Sequence, residues 1–149
     1  MIELFYLLKY MRNWGYHLVL NASRCGALNI RCPKNIKGFS DTLVKRIDMK
    51  AYGAPQIVHF GEGNKGGYTL VQLIETSNIM AHFSEEWNAM FLDVFSCKPF
   101  EPKEVVEHVQ DWFNPIHIES TFLNRGAYPT QDMIPRNTYV SRLPAEVLR

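Results

Sequence analysis

The sequence predicts an α+β fold, a two-layer sandwich in which an antiparallel β-sheet is covered on one face by two helices, in the order β-α-β-β-β-β-α-β. Three observations carry this. Two segments space their apolar residues at helical intervals, one on each side of a central run of strand-like segments. The connections between the later strands of that run are short and polar, which antiparallel neighbours allow and parallel ones do not. The composition is that of one folded domain: 149 residues, 46% hydrophobic, 13% aromatic and 21% charged.

The elements follow in order. Residues 1–13 read as an N-terminal extension to a single domain spanning 1–149. Tyr16 to Asn21 (YHLVLN) is rich in β-formers and reads as a strand. Residues 22–34, with Gly26 and Pro33, read as loop or turn. From Asn35, a reasonable N-cap, Ile36, Phe39, Leu43 and Ile47 mark one face of a helix that should end near Ala51, before Gly53 and Pro55. Gln56 to Phe60 is a short strand, and Gly61 to Gly67 a flexible loop. Tyr68 to Glu75, Asn78 to Phe83 and Ala89 to Ser96 are strands, the last two joined by the polar run Ser84 to Asn88. A second helix runs from about Glu101 to Phe113, with Pro102 in its first turn and Val105, Val106, Val109, Trp112 and Phe113 as its stripe. The charges from Glu101 to Glu107 read as its solvated face. Ile116 to Leu123 is the last strand, and 126–149, with Pro129, Pro135 and Pro144, reads as an irregular tail.

Both faces of the sheet are apolar. Leu70, Ile74, Leu92 and Val94 alternate with Val71, Leu73, Phe91 and Phe95. Two helices cover one face only, so a homodimer covering the other is expected.

Charge and cysteine content exclude several classes. A net charge of +1 and a pI near 7.7 give no electrostatic case for nucleic acid or an anionic membrane. No apolar run is long enough to span a bilayer, and the start lacks the basic n-region of a signal peptide. Cys25, Cys32 and Cys97 are too few and too irregular for a disulfide framework, so a reducing, cytoplasmic location is expected. His17, His59, His108 and His117 show no metal-binding spacing, and no metal is expected. The loop Gly61 to Gly67 lacks the GK[ST] ending of a phosphate cradle.

Ser77, His82, Asp93 and Cys97 interrupt the apolar central strands. His82 lies five residues after Ser77, and Cys97 twenty after it, preceded by LDVFS. This segment, with the opening Gly15-Tyr16-His17-Leu18-Val19 and Cys25, resembles the bacterial S-adenosylmethionine decarboxylase proenzymes over roughly residues 14–124. The resemblance implies self-cleavage between Thr76 and Ser77, with Ser77 becoming a pyruvoyl group, an electrophilic ketone that condenses with the substrate amine and acts as an electron sink. It implies that His82 accepts a proton during processing and that Cys97 donates one after decarboxylation. It further implies that Thr69 assists the ester step, that Glu86 holds the ribose hydroxyls of S-adenosylmethionine, and that Phe60 faces adenine. The product would be the aminopropyl donor for spermidine. Two positions depart from the family: Thr76 stands where glutamate is common, and Asn21 where an acidic residue is. A pyruvoyl-dependent arginine or ornithine decarboxylase, and an unprocessed non-catalytic partner protein, remain as alternatives. On a regular strand, Ser77 and His82 would point to opposite faces, so joint action calls for a bend, a bulge or a strand end at Ser77.

Overall fold

In a computed structural model, which describes residues 14–126 and the backbone of 137–142, seven strands form one sheet: β1 (Gly15–Ser23), β2 (Gln56–Phe60), β3 (Gly67–Ile74), β4 (Ser77–Ser84), β5 (Ala89–Ser96), β6 (His117–Arg125) and β7 (Asn137–Arg142). Their order is β2-β3-β4-β5-β1-β6-β7, and every neighbouring pair is antiparallel. The helices are α1 (Ala27–Ile30), α2 (Pro33–Arg46) and α3 (Pro102–Phe113). The α+β class and the one-sided helical cover are as the sequence predicts.

Period-two alternation divides the strand residues between two faces, and the helices cover one of them. Leu18, Leu20, Leu70, Ile74, Ile79, Phe83, Leu92 and Val94 are buried under the helices. Ile36, Phe39, Leu43, Val105, Val109 and Phe113 supply the other half of the core. Phe113 sits at its centre, with its ring 4.9 Å from Phe39 and 5.2 Å from Phe83. Arg46 ties the outer surfaces of α2 and α3, reaching Glu104 at 2.6 Å, Glu107 at 2.9 Å and Asp111 at 3.2 Å. The charges on α3 therefore serve partly as a clasp rather than only as a solvated face.

Several boundaries differ from expectation. The loop assigned to 22–34 contains the single turn of α1. The first helix begins at Pro33, whose missing N–H costs nothing in the first turn, and not after Asn35. It ends at Arg46, five residues early, because Asp48 takes the left-handed conformation (φ 55°) that ends helices. The Met49 N–H then closes back on the Val44 carbonyl at 2.9 Å, and the Asp48 N–H on the Lys45 carbonyl at 3.1 Å. No glycine marks this stop, so the sequence pattern overruns it. The tail assigned to 126–149 is not irregular throughout: Asn137–Arg142 pairs with β6 from His117 to Phe122. The extension 1–13 and the rest of the tail lie outside the described residues.

Candidate active site

The chemistry-bearing residues fall into two groups at different places on the sheet. One group surrounds the tight β3–β4 turn. Ile74 and Ser77 pair across it, leaving Glu75 and Thr76 as the two loop residues. Ser77 opens β4 opposite Ser96, the last residue of β5. Its φ is 150°, a region that residues other than glycine rarely occupy, so the backbone is strained at that serine. Ser77 stands at the strand end, one of the arrangements that joint action with His82 calls for. The carbonyl oxygen of Thr76 accepts a hydrogen bond from the Cys97 N–H at 3.0 Å. The Thr76 hydroxyl lies 2.8 Å from the Ser96 hydroxyl and 3.3 Å from the Met49 sulfur. A cavity of about 230 Å³ opens beside it, lined by Asp48, Met49, Lys50, Glu75, Thr76 and Lys98.

Three neighbouring elements build this corner. The end of β5 brings Ser96 inward, fully buried, and turns Cys97 out to solvent. The reversal after α2 delivers Met49. Lys98 bonds to the carboxylate of Asp48 at 2.7 Å, tying that reversal to the segment after β5 and holding the Asp48 carboxyl below its usual range.

The second group lies on the uncovered face. Thr69 on β3 and His82 on β4 are direct cross-strand partners, and Thr69 Oγ1 and His82 Nδ1 share a hydrogen bond at 3.0 Å. The spacing of thirteen residues thus encodes a contact. Nearby, the His17 ring donates to the Asp93 carboxylate at 2.9 Å across β1 and β5. Neither partner of that pair was identified as interacting from the sequence, because cross-strand register is invisible before the strands are paired. Asn21 sits on the same face in register with Phe91.

The remaining predicted residues lie beyond the far end of β4. Glu86 follows the strand in the β4–β5 turn and is paired with Lys65 of the glycine-rich loop, at 3.1 Å. Glu85 pairs with His59 at 2.9 Å. Phe60, at the end of β2, is 58% exposed. Arg31 anchors this turn by donating to the Asn88 side chain at 2.7 Å and to the Glu85 carbonyl at 2.6 Å.

One chain therefore brings together Thr76, Ser77 and Cys97, and separately Thr69 and His82. It does not bring the two groups together. Five residues of extended chain separate Ser77 from His82, roughly 16 Å at ~3.3 Å per residue. Glu86 is farther still. Sequence reasoning missed Ser96 and Met49. Ser96 was detectable only as the neighbour of Cys97, and Met49 carried no signal, since only the early end of α2 places it there. Cys25 is buried, its thiol pushed up to about 12 by loss of solvent, and chemically quiet. Among the described residues no three His, Cys, Asp or Glu side chains gather to hold a metal ion.

A strained serine at a hairpin, and an exposed cysteine whose N–H holds the carbonyl before it, thus stand at one end of a two-layer antiparallel sandwich. The chain belongs to the S-adenosylmethionine decarboxylase family, whose model matches residues 16–126. It is an enzyme of the carboxy-lyase class. The crystal structure of the adenosylmethionine decarboxylase from Aquifex aeolicus VF5 is similar in fold, with a TM-score of 0.67 and 20% identity over 80% of this chain and 97% of that one. A phage SAM lyase in complex with S-methyl-5′-thioadenosine aligns at a TM-score of 0.40 and 13% identity, over 89% of this chain and 92% of that one. No helix among the described residues is long and apolar enough to cross a membrane.

Proposed function

We propose that this protein decarboxylates S-adenosylmethionine to the aminopropyl donor of spermidine synthesis, after cutting its own chain between Thr76 and Ser77. The observation that carries this is the Thr76 carbonyl, held by the Cys97 N–H at 3.0 Å beside a serine at φ 150°. A serine hydroxyl that attacks the preceding carbonyl builds negative charge on that oxygen. The Cys97 N–H is already placed to stabilise it. Strain at Ser77 raises the ground state of the peptide that must break.

The chemistry balances within the chain. Ser77 Oγ bonds to the Thr76 carbonyl carbon, the bond from that carbon to the Ser77 nitrogen breaks, and the hydroxyl proton passes to the freed amine. A base then removes the Ser77 α proton, and the bond from Cβ to Oγ breaks with the Thr76 carboxylate as leaving group. The dehydroalanine left behind tautomerises to an imine. Water hydrolyses it to pyruvoyl and ammonia. Once formed, the pyruvoyl ketone supplies the electron sink for decarboxylation. His82, oriented by Thr69, is the base, and a histidine suits proton abstraction near neutrality. The Cys97 thiol, exposed and one residue beyond β5, donates the proton that the substrate carbon needs. Glu86 and Phe60 would hold ribose and adenine.

A homodimer fits the separation of the two groups. Val58, Phe60, Leu73, Met80 and Phe91 form an exposed apolar surface on the uncovered face, 42–58% accessible. Covering it with a second copy would let the Thr69–His82 pair of one protomer serve Ser77 of its partner. Cys25, Cys32 and Cys97 are all free thiols, which supports a cytoplasmic location. Intact-mass measurement of the purified protein tests the processing. Two fragments covering 1–76 and 77–149, the second with a blocked N-terminus, are expected. A single 17.3 kDa chain sinks the proposal.

A further inference from the structure

Thr76 is held at two points by two successive residues. Cys97 takes its carbonyl through the backbone, and Ser96 takes its hydroxyl through a side chain with no exposed surface. The two hydroxyls and the Met49 sulfur form one cluster, with Ser96 Oγ itself 3.5 Å from the sulfur. The Lys98 N–H, which can only donate, lies 3.0 Å from Ser96 Oγ. The Met49 thioether, which can only accept, lies 3.3 Å from Thr76 Oγ1. Between those ends, the Ser96 and Thr76 hydroxyls are bonded to each other at 2.8 Å, one donating to the other and the remaining proton going to the sulfur. A side chain and a carbonyl anchored separately fix the peptide plane between them. That plane is the one Ser77 must attack.

We propose that Ser96 is a positioning residue for cleavage of the chain: through the Thr76 hydroxyl it orients the scissile carbonyl toward the Cys97 N–H and Ser77 Oγ. This rests on the processing described above. It also gives threonine before the cleavage serine a purpose in this chain, since a hydroxyl is what the Ser96–Met49 slot receives. Ser96 acts through the Thr76 hydroxyl, to which it is bonded. Its action is on geometry, where small misplacements slow an intramolecular attack.

The test follows newly made full-length chain into its two fragments in a cell-free translation pulse. The variants are Ser96→Ala, Thr76→Val, both together, and Ser96→Thr. Loss of one buried hydrogen bond should slow cleavage roughly five- to tenfold in each of the first two. The double variant should be no slower than the slower single, because both remove the same bond. Ser96→Thr, which keeps the hydroxyl, should recover most of the rate. The thermal midpoint of the uncleaved chains separates this from unfolding, and Thr76→Val, which is nearly isosteric, carries the test if Ser96→Ala does not fold. Cleavage of Ser96→Ala and Thr76→Val at the wild-type rate, or losses that multiply in the double variant, would overturn the role of Ser96 alone. A wild-type chain that never cleaves would overturn the processing and this proposal with it.

Discussion

Cys97 and Cys25 show how position decides the use of one residue type. Cys25 is sealed in the core, where burial keeps the thiol protonated. Cys97 follows β5 by one residue and stands in solvent. Its N–H holds the Thr76 carbonyl, and on the proposed function its thiol serves a later stage by supplying a proton. Ser is expected to separate the two. Cys97→Ser retains the N–H and should still give two fragments, whereas carbon dioxide release from S-adenosylmethionine should fall by ~10²–10⁴-fold, as for loss of a general acid. Loss of cleavage in that variant would show that the thiol is needed earlier. The spacing of Ser77, His82 and Cys97 was legible in the sequence. Ser96 and Met49 were not, because their part depends on a hydrogen bond between segments far apart in the chain.

At the scale of elements, the junction of α2 with α3 carries a pH dependence. His108 on α3 is 5% exposed and its ring nitrogen Nε2 lies 3.1 Å from the Phe39 carbonyl and 3.0 Å from Thr42 Oγ1. A carbonyl can only accept, so Nε2 carries the proton. Burial disfavours the imidazolium and moves the His108 pKa below its ordinary 6.5, with the Phe39 carbonyl opposing and nearby Arg46 adding to the shift. The unfolded chain then binds a proton that the folded chain refuses. Stability from this site is present above pH ~6.5 and declines as the pH falls below it. His108→Gln should flatten that decline, read as denaturation midpoints at pH 5 and pH 7. An unchanged difference between the two pH values would show that other groups govern acid lability. Helix positions were legible from apolar spacing, but the end of α2 was not. A left-handed aspartate stops it, and nothing in the periodicity marks one.

On the proposed function and dimer, the whole molecule poses the question of which protomer's histidine serves which serine. Ser77 and His82 of one chain lie roughly 16 Å apart along a strand. An apolar face stands uncovered beside His82. Coexpression of Ser77→Ala with His82→Ala chains resolves it. If the site is shared, the His82→Ala chain, which still has its serine, should be cleaved when its partner carries His82. About half of the dimers formed from equal amounts of the two chains would be mixed. Absence of any cleavage in the mixture would place serine and histidine in the same chain. Sedimentation should show a dimer at micromolar concentration.

The sequence by itself determined the fold class, the one-sided helical cover and the candidates for the chemistry. Apolar periodicity and residue type are local properties, and each strand or helix displays them without its partners. Only the tertiary structure decided how those residues group. Register set Thr69 against His82, the end of β5 set Ser96 and Cys97 against Thr76, and the early stop of α2 set Met49 beneath them. It also made a seventh strand of residues 137–142, which the prolines around them had concealed. Pairing between strands depends on backbone hydrogen bonds that every residue but proline can make, so it leaves almost no mark on residue identity.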